Sequence, residues 1–163
     1  MAELLDVKDV EILKALKSDS RKPMGIIGDD LNISKATVSR RVAKMEEDGY
    51  IMGYSIDVDV NKLGLMKSMV AIQIIGSPVS IIIEQLRAYP EISTIYKSFG
   101  DHNIVCEVFT RNVDELYEMI QSKLLKMPSV RNVEVDILVE KMPLNVNADL
   151  DIYLDKFSVQ GEK

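Results

Sequence analysis

A run of basic, hydroxyl-bearing and small residues between Ser34 and Met45 is the part of this sequence best suited to contact a ligand. It reads SKATVSRRVAKM, and residues 31–45 carry four Lys or Arg and no acid, although the 163-residue chain has a net charge of -6. At 3.6 residues per turn, Val38, Val42 and Met45 share one face of a helix. The opposite side is basic and hydroxyl-bearing, which suits the phosphates and base edges of a DNA major groove.

Seven side chains of this helix are candidates for contact with DNA. We expect Arg40 and Thr37 to contact base edges. We expect Lys35, Arg41 and Lys44 to contact phosphates, because a phosphate requires chiefly a positive charge within reach. Surface helices with basic faces are common, so the charge pattern alone does not separate a DNA-binding helix from a solvated one. The candidate set is Ser34, Lys35, Thr37, Ser39, Arg40, Arg41 and Lys44.

The residues before this helix favour DNA binding. Residues 24–31 read as a short helix, and Asn32 and Ile33 as a tight turn. Gly28 lets two helices approach closely, and Asn32 tolerates the left-handed conformation that such a turn requires. Ser34 then caps the basic helix by accepting a backbone N–H of its first turn. This spacing is typical of a helix-turn-helix, whose second helix enters the major groove.

The turn from Phe99 to Asn103 is a second candidate site. It reads FGDHN, lies between two strand-like segments and holds the single histidine, His102. Gly, Asp and Asn are ordinary turn formers, so a plain hairpin turn is one interpretation. The other is a site for a free amino acid, because Asp101 can pair with an ammonium group while backbone N–H groups near Gly100 bind a carboxylate. The candidate effector-binding residues are Gly100, Asp101, His102 and Asn103.

The composition excludes several classes of protein. With one cysteine, Cys106, and one histidine, His102, the chain cannot form an intrachain disulfide or a cysteine-rich or paired-histidine metal site. No apolar run reaches the ~20 residues of a transmembrane helix, and the acidic N-terminus lacks the features of a signal peptide. We therefore expect a cytoplasmic protein with no metal, no cofactor and no membrane partner. No motif for nucleophilic catalysis or phosphate binding occurs, so no catalytic residue is predicted.

The N-terminal third of the chain is predicted to form a small helical unit that ends in a wing. Residues 5–16 have the pattern of an amphipathic helix with Asp6 as its cap. Residues 50–54 are short and β-rich, which suits the wing of a winged helix-turn-helix. Residues 56–65 begin with alternating apolar and polar side chains, which predicts a linker strand.

The second half of the chain contains an internal repeat. Strand-like segments at 69–75 and 103–109 each precede a helix, at 79–88 and 113–127. Each helix ends in Leu-x-x-x-Pro-x-(Ile/Val) and runs into a further strand. Two such βαβ halves predict a βαββαβ ferredoxin-like unit, an antiparallel sheet with helices on one face. Apolar residues on both faces of the segment 103–109 predict that a partner subunit covers the other face.

Several of these motifs resemble the leucine-responsive regulator and asparagine-regulator (Lrp/AsnC) family of prokaryotic transcription regulators. The resemblance rests on LD at 5–6, LNIS at 31–34, TVSRRV at 37–42, DG at 48–49 and GY at 53–54, and it covers about residues 4–142. It implies an α+β protein. Its expected parts are a winged helix-turn-helix at 1–54, a linker strand at 55–65, a ferredoxin-like effector-binding and dimerisation domain at 66–142, and an extension at 143–163.

The same resemblance implies a function. Proteins of this family bind specific double-stranded DNA, dimerise through the sheet and the linker, and assemble further into tetramers or octamers. An amino-acid effector binds between dimers against a Gly-Asp-x-Asp turn. Asn103 replaces the second acid of that turn, which favours an uncharged effector such as one with an amide side chain, or none. The alternatives are an effector-independent regulator, a nucleoid-associated architectural protein, and an amino-acid sensor that does not bind DNA.

Overall fold

The computed structural model describes residues 4–158, which form two compact units. The first contains the described part of residues 1–57 and 142–163, and the second contains residues 58–141. The helices are α1 (Val7–Ser18), α2 (Met24–Leu31), α3 (Lys35–Glu47), α4 (Val79–Leu86), α5 (Val113–Met119) and α6 (Ala148–Ser158), and the strands are β1 (Met66–Ile74), β2 (Ile92–Lys97), β3 (Ile104–Thr110) and β4 (Val130–Leu138).

The first unit is a helical bundle built around one apolar cluster. Helix α1 begins with a capping box, in which the Asp6 carboxylate accepts the Asp9 N–H at 2.9 Å and the Asp9 carboxylate accepts the Asp6 N–H at 3.0 Å. Two orphan donors of the helix end are thereby satisfied. The buried members of the cluster are Leu5, Val10, Ile12, Leu16, Ile27, Val38, Val42 and Met45.

The turn between α2 and α3 confirms the local structure that the sequence predicts. Asn32 adopts the left-handed conformation, with φ 55° and ψ 46°. The Ile33 N–H then donates to the Gly28 carbonyl at 2.9 Å. A Cβ atom on Gly28 would lie 2.6 Å from the Ile33 carbonyl oxygen, so the turn passes too close for any side chain there. Ser34 caps α3 by accepting the Thr37 N–H at 3.1 Å.

The second unit has the predicted βαββαβ order. Its four strands are arranged β2-β3-β1-β4, and each neighbouring pair is antiparallel. Residues on alternate positions of β1 and β3 are buried, because the helices cover that face of the sheet. The buried cluster contains Val70, Ile72, Ile74, Ile82, Leu86, Ile104, Cys106, Val108, Leu116, Met119, Leu124 and Met127.

The segment between the units differs from its predicted structure. Residues 51–59 form neither helix nor strand, and Val60–Leu63 is a 3-10 helix capped by the Asp59 side chain. The single chain therefore does not show the linker strand predicted at 55–65 or β-structure in the wing at 50–54. A strand requires a neighbour for its N–H and C=O groups, and no strand within residues 4–158 pairs with this segment.

Helix α5 also differs from its predicted structure. The sequence predicts one continuous helix over 113–127 with Val113 and Tyr117 on its buried stripe. Instead α5 ends at Met119 and continues as a π-helical turn, Ile120–Leu124. Val113 and Tyr117 are 55% and 63% exposed, whereas Met119 is buried. The wider π turn shifts the side chains that follow it, so that Leu124 and Met127 still reach the core.

Candidate nucleic-acid interface and effector turn

Helix α3 presents a narrow exposed stripe of small and basic side chains. Ala36, Arg40 and Ala43 follow each other at intervals of four and three residues, and all three are exposed. Lys35 and Ser39 lie exposed beside them. We call these five residues the recognition stripe. The two alanines were not among the predicted site residues, although their spacing from Arg40 places them on the same face of a helix.

Arg41, which the sequence predicts as a phosphate contact, binds two carboxylates within the protein. Its Nη1 lies 2.8 Å from Asp6 Oδ2 and 2.7 Å from Asp9 Oδ1, so it binds both carboxylates of the α1 capping box. These two hydrogen bonds raise the pKa of Arg41, and the one with Asp9 contributes most. Burial opposes ionisation of Asp6, but hydrogen bonds from the Asp9 N–H and from Arg41 outweigh it and lower the pKa of Asp6. Arg41 therefore joins α3 to α1 in this structure.

The hydroxyl groups at the start of α3 are also engaged within the protein. Ser34 Oγ lies 2.8 Å from Thr37 Oγ1 and accepts the Thr37 N–H.

The positive charge of α3 ends with Lys44, which lies exposed one turn after Arg40. Three acids, Glu46, Glu47 and Asp48, follow it and confine the basic surface to the earlier turns of the helix. This charge distribution suits a helix whose N-terminal half faces DNA, since phosphates repel carboxylates.

The turn after β2 is fixed to the sheet by Asn103 and His102. The Asn103 side-chain oxygen accepts the Ile74 N–H at 2.7 Å, and the backbone N–H of Asn103 donates to the Ile72 carbonyl at 3.0 Å. His102 Nε2 lies 3.3 Å from Glu134 Oε2. The sequence predicts both residues as contacts for an effector. In the structure each also has a partner within the sheet, Ile74 for Asn103 and Glu134 for His102.

Asp101 and Gly100 remain at the exposed tip of this turn. Both are exposed, and Gly100 has φ +140° with no atom within 4 Å of a Cβ built on it. The neighbouring Phe99 side chain is fully exposed as well. Within the described residues, no three His, Cys, Asp or Glu side chains converge as metal ligands, and no helix is long and apolar enough to cross a membrane.

Comparison with known proteins assigns both units to one family. Residues 5–52 match the model of a winged helix-turn-helix DNA-binding domain, and residues 68–143 match the Lrp/AsnC ligand-binding domain. The regulator LrpA of Pyrococcus horikoshii is 31% identical over 140 residues, which cover 85% of this chain and 99% of LrpA. The chain belongs to the Lrp/AsnC family. Proteins of this family are transcription regulators.

Other Lrp/AsnC proteins agree with this assignment. LrpA1 of Halobacterium salinarum is 31% identical over 132 residues, which cover 80% of this chain and 93% of LrpA1. The structure of E. coli AsnC superposes with a TM-score of 0.76 at 24% identity, covering 88% of this chain and 97% of AsnC. A Neisseria meningitidis transcriptional regulator in complex with L-Met has the same fold, with a TM-score of 0.80 at 16% identity, covering 91% and 99% of the two chains. We therefore call the first unit the DNA-binding unit.

Proposed function

We propose that this Lrp/AsnC protein regulates transcription in the cytoplasm by binding a specific double-stranded DNA sequence through the recognition stripe of α3. The exposed stripe itself is the observation that supports this function most. Arg40 is exposed on it and forms no ion pair within the part of the chain that the structure describes, whereas Arg41 is turned towards α1. A free guanidinium on a helix with small neighbours can approach base edges closely.

Each residue type on the stripe suits a different part of the major groove. The guanidinium of Arg40 can donate two hydrogen bonds to O6 and N7 of a guanine. The methyl groups of Ala36 and Ala43 can contact the C5-methyl of thymine, and they leave room for the helix to enter the groove. Lys35, at the first turn, can pair with a phosphate. In a dimer, two such helices would read half-sites about one helical turn apart, or a multiple of it.

Selection of bound duplexes from a random pool tests this function. We expect the wild-type protein to enrich one sequence motif and the Arg40→Ala protein to lose preference at one base pair of each half-site, a cost of about 1–3 kcal/mol. No enriched motif with the wild-type protein would favour a nucleoid-associated architectural protein. Retention of the wild-type motif by Arg40→Ala would refute the assigned role of Arg40.

The open face of the sheet suits a homodimer. One row of this face runs across all four strands, through Tyr96, Val105, Ala71 and Glu134. Tyr96 is 51% exposed, and Val105 and Ala71 are partly exposed on the face opposite to the buried side chains of β1 and β3. We expect Val105→Glu to shift the protein towards monomers in sedimentation experiments, whereas Tyr117→Glu on the helical side should not. Equal effects of the two substitutions would place the dimer interface elsewhere. Further assembly of dimers into tetramers or octamers would use other surfaces.

An amino acid is the effector that the exposed turn suits best. The ligand-binding domain of the family covers this turn, and the related Neisseria regulator was crystallised with L-Met. Asp101 is an exposed carboxylate that can pair with an α-ammonium group, and the open backbone around Gly100 can receive an α-carboxylate. Asn103 binds β1 through its oxygen, so its amide N–H₂ group is the part left to contact a ligand.

Thermal-shift measurements with the twenty amino acids test this site. We expect at least one of them to raise the melting temperature of the wild-type protein and to have no effect on Asp101→Ala. No stabilisation by any amino acid would favour an effector-independent regulator. Equal stabilisation of Asp101→Ala would place the site elsewhere. A sensor that does not bind DNA would respond to the amino acid but fail the duplex selection.

A further inference from the structure

Helix α6 lies outside the part of the chain that matches the family models, which end at residue 143. It nevertheless belongs to the DNA-binding unit, because Leu150, Tyr153 and Leu154 pack against the apolar cluster of that unit. The Tyr153 hydroxyl oxygen also accepts the N–H of Leu5 at 3.1 Å. The extension therefore returns to the unit that carries the recognition stripe.

Charged pairs give this docking a defined position on α1. Lys14 Nζ lies 3.0 Å from Asp151 Oδ1, and Lys17 binds the carboxylate of Asp149. Asn145 Nδ2 donates to Asp151 Oδ2 at 3.0 Å and fixes the segment before the helix. Ile152, on the other side of α6, is 63% exposed. Among the side chains of α6 that the structure describes, Leu150, Tyr153 and Leu154 thus make the apolar docking contacts and Ile152 does not.

The DNA-binding unit is consequently joined to the second unit at two points. One connector leaves the C-terminal end of α3, and the other reaches α1 through α6. At the second unit the two connectors start side by side, because Lys67 near the start of β1 is paired with Leu138 at the end of β4. A body on one flexible connector can turn about it, whereas two connectors attached to different helices restrict that rotation.

We propose that α6 is a specificity-determining element that narrows the half-site spacing accepted by the protein. This inference rests on the proposed function, since it requires two DNA-binding units that bind one duplex together. When one DNA-binding unit of a dimer is bound, binding of the other depends on its effective concentration at the second half-site. This concentration is highest when the attachment of the DNA-binding unit favours one distance and orientation. Release of α6 from α1 would let the DNA-binding unit adopt more positions and orientations relative to the second half-site, without changing the recognition stripe.

Two substitutions and a matched control on the same helix test the role of α6. Leu150→Ser with Leu154→Ser weakens the docking by removing two apolar side chains from it, without a change of charge. Ile152→Ser makes the same chemical change on the exposed side of α6. Each full-length protein is titrated with a duplex that carries one half-site of the selected motif. It is then titrated with duplexes that carry two half-sites at separations varied in steps of one base pair.

We expect the double variant to bind the best two-half-site duplex about tenfold more weakly and to accept a wider range of separations. Its affinity for the single half-site should stay within about twofold of the wild-type value, as should every affinity measured for Ile152→Ser.

An unchanged dependence of affinity on half-site separation in the double variant would overturn the inference. A single-half-site affinity that falls as much as the two-half-site affinity would also overturn it, because α6 would then only support the fold of the unit. A wild-type protein that binds all duplexes alike would refute the proposed function, and this inference with it.

Discussion

Arg41 of α3 and Asp9 of α1 form an ion pair with 2.7 Å between Nη1 and Oδ1, and Asp6 shares the same guanidinium nitrogen. The pair holds the Arg41 guanidinium on α1, whereas the adjacent Arg40 is exposed. With Arg41 held by α1, Arg40 points outwards between two alanines. The capping box of α1 thus helps to fix the rotation of α3 about its axis, together with the buried face of Val38, Val42 and Met45.

Replacement of Arg41 should affect stability more than replacement of Arg40. Arg41→Ala removes two charge-assisted hydrogen bonds and leaves two carboxylates close together, so we expect a loss of about 1–3 kcal/mol in the free energy of unfolding. Arg40→Ala, at an exposed position, should cost less than about 0.5 kcal/mol. Urea denaturation of the two variants measures both values. Equal losses would contradict the role assigned to Arg41.

Alanine at Gly28 and at Gly25 should have opposite effects on stability. A Cβ at Gly28 would lie 2.6 Å from the Ile33 carbonyl oxygen, whereas nothing lies within 4 Å of one at Gly25 in the same helix. We expect Gly28→Ala to destabilise the protein by about 1–3 kcal/mol, because the turn must move. Gly25→Ala should stabilise it by about 0.4–1 kcal/mol through lower entropy of the unfolded chain. Thermal unfolding of both proteins would show whether the signs differ.

The ion pair between Glu91 and Lys123 should make stability depend on pH. Lys123 Nζ lies 2.7 Å from Glu91 Oε1, and this hydrogen bond lowers the pKa of Glu91 against the opposing effect of burial. Since the folded-state pKa is below the ordinary 4.5, the pair stabilises the fold above that pH and ceases to do so as the pH falls through the folded-state value.

We therefore expect Glu91→Gln to lower the free energy of unfolding by about 1 kcal/mol at pH 7 and by almost nothing at a second pH, chosen below the folded-state pKa of Glu91. Glu118→Gln, at an exposed position of α5, is the matched control and should change stability little at either pH. Denaturation curves at both pH values measure the difference. A loss of the same size at both would show that Glu91 acts through packing rather than charge.

Lys35 should contribute to affinity without contributing to sequence preference. Lys35→Ala should weaken binding to all duplexes alike and reduce the slope of log K against log salt by about one for each DNA-binding unit. Lys126→Ala, at an exposed position of the second unit, should leave the slope unchanged. Fluorescence anisotropy over a range of salt concentrations provides both slopes. A changed motif in the selection experiment with Lys35→Ala would instead make Lys35 a base contact.

Asn103 should tolerate aspartate better than leucine. Asn103→Asp keeps an oxygen for the Ile74 N–H, whereas Asn103→Leu leaves that donor without its partner and should cost about 1–3 kcal/mol. The added charge of Asn103→Asp beside Asp101 should shift any amino-acid response towards basic side chains. Thermal shifts with lysine, arginine, asparagine and glutamine separate these outcomes. A response of Asn103→Asp identical to that of the wild type would remove Asn103 from the site.

Local sequence patterns determined most of the elements and the family. The helix-turn-helix depends on features that involve only a few neighbouring residues, such as the left-handed conformation of Asn32 and the Ser34 cap. The sequence alone therefore predicts it. The βαββαβ order likewise follows from a repeated pattern of strand, helix and Leu-x-x-x-Pro. Periodicity also assigned the buried face of α3, because Val38, Val42 and Met45 recur at helical intervals.

The tertiary structure decided which polar groups were already bound within the protein. Arg41 and Asp9 are 32 residues apart in sequence and Asn103 and Ile74 are 29 apart, so nothing local distinguished these side chains from the exposed Arg40 and Asp101. The docking of α6 on the DNA-binding unit joins residues even more distant, as with Leu5 and Tyr153, which are 148 positions apart. The periodicity of apolar residues in the sequence indicates which face of a helix or strand is apolar. The partner of a charge depends on how separate elements pack, and only the folded chain determines it.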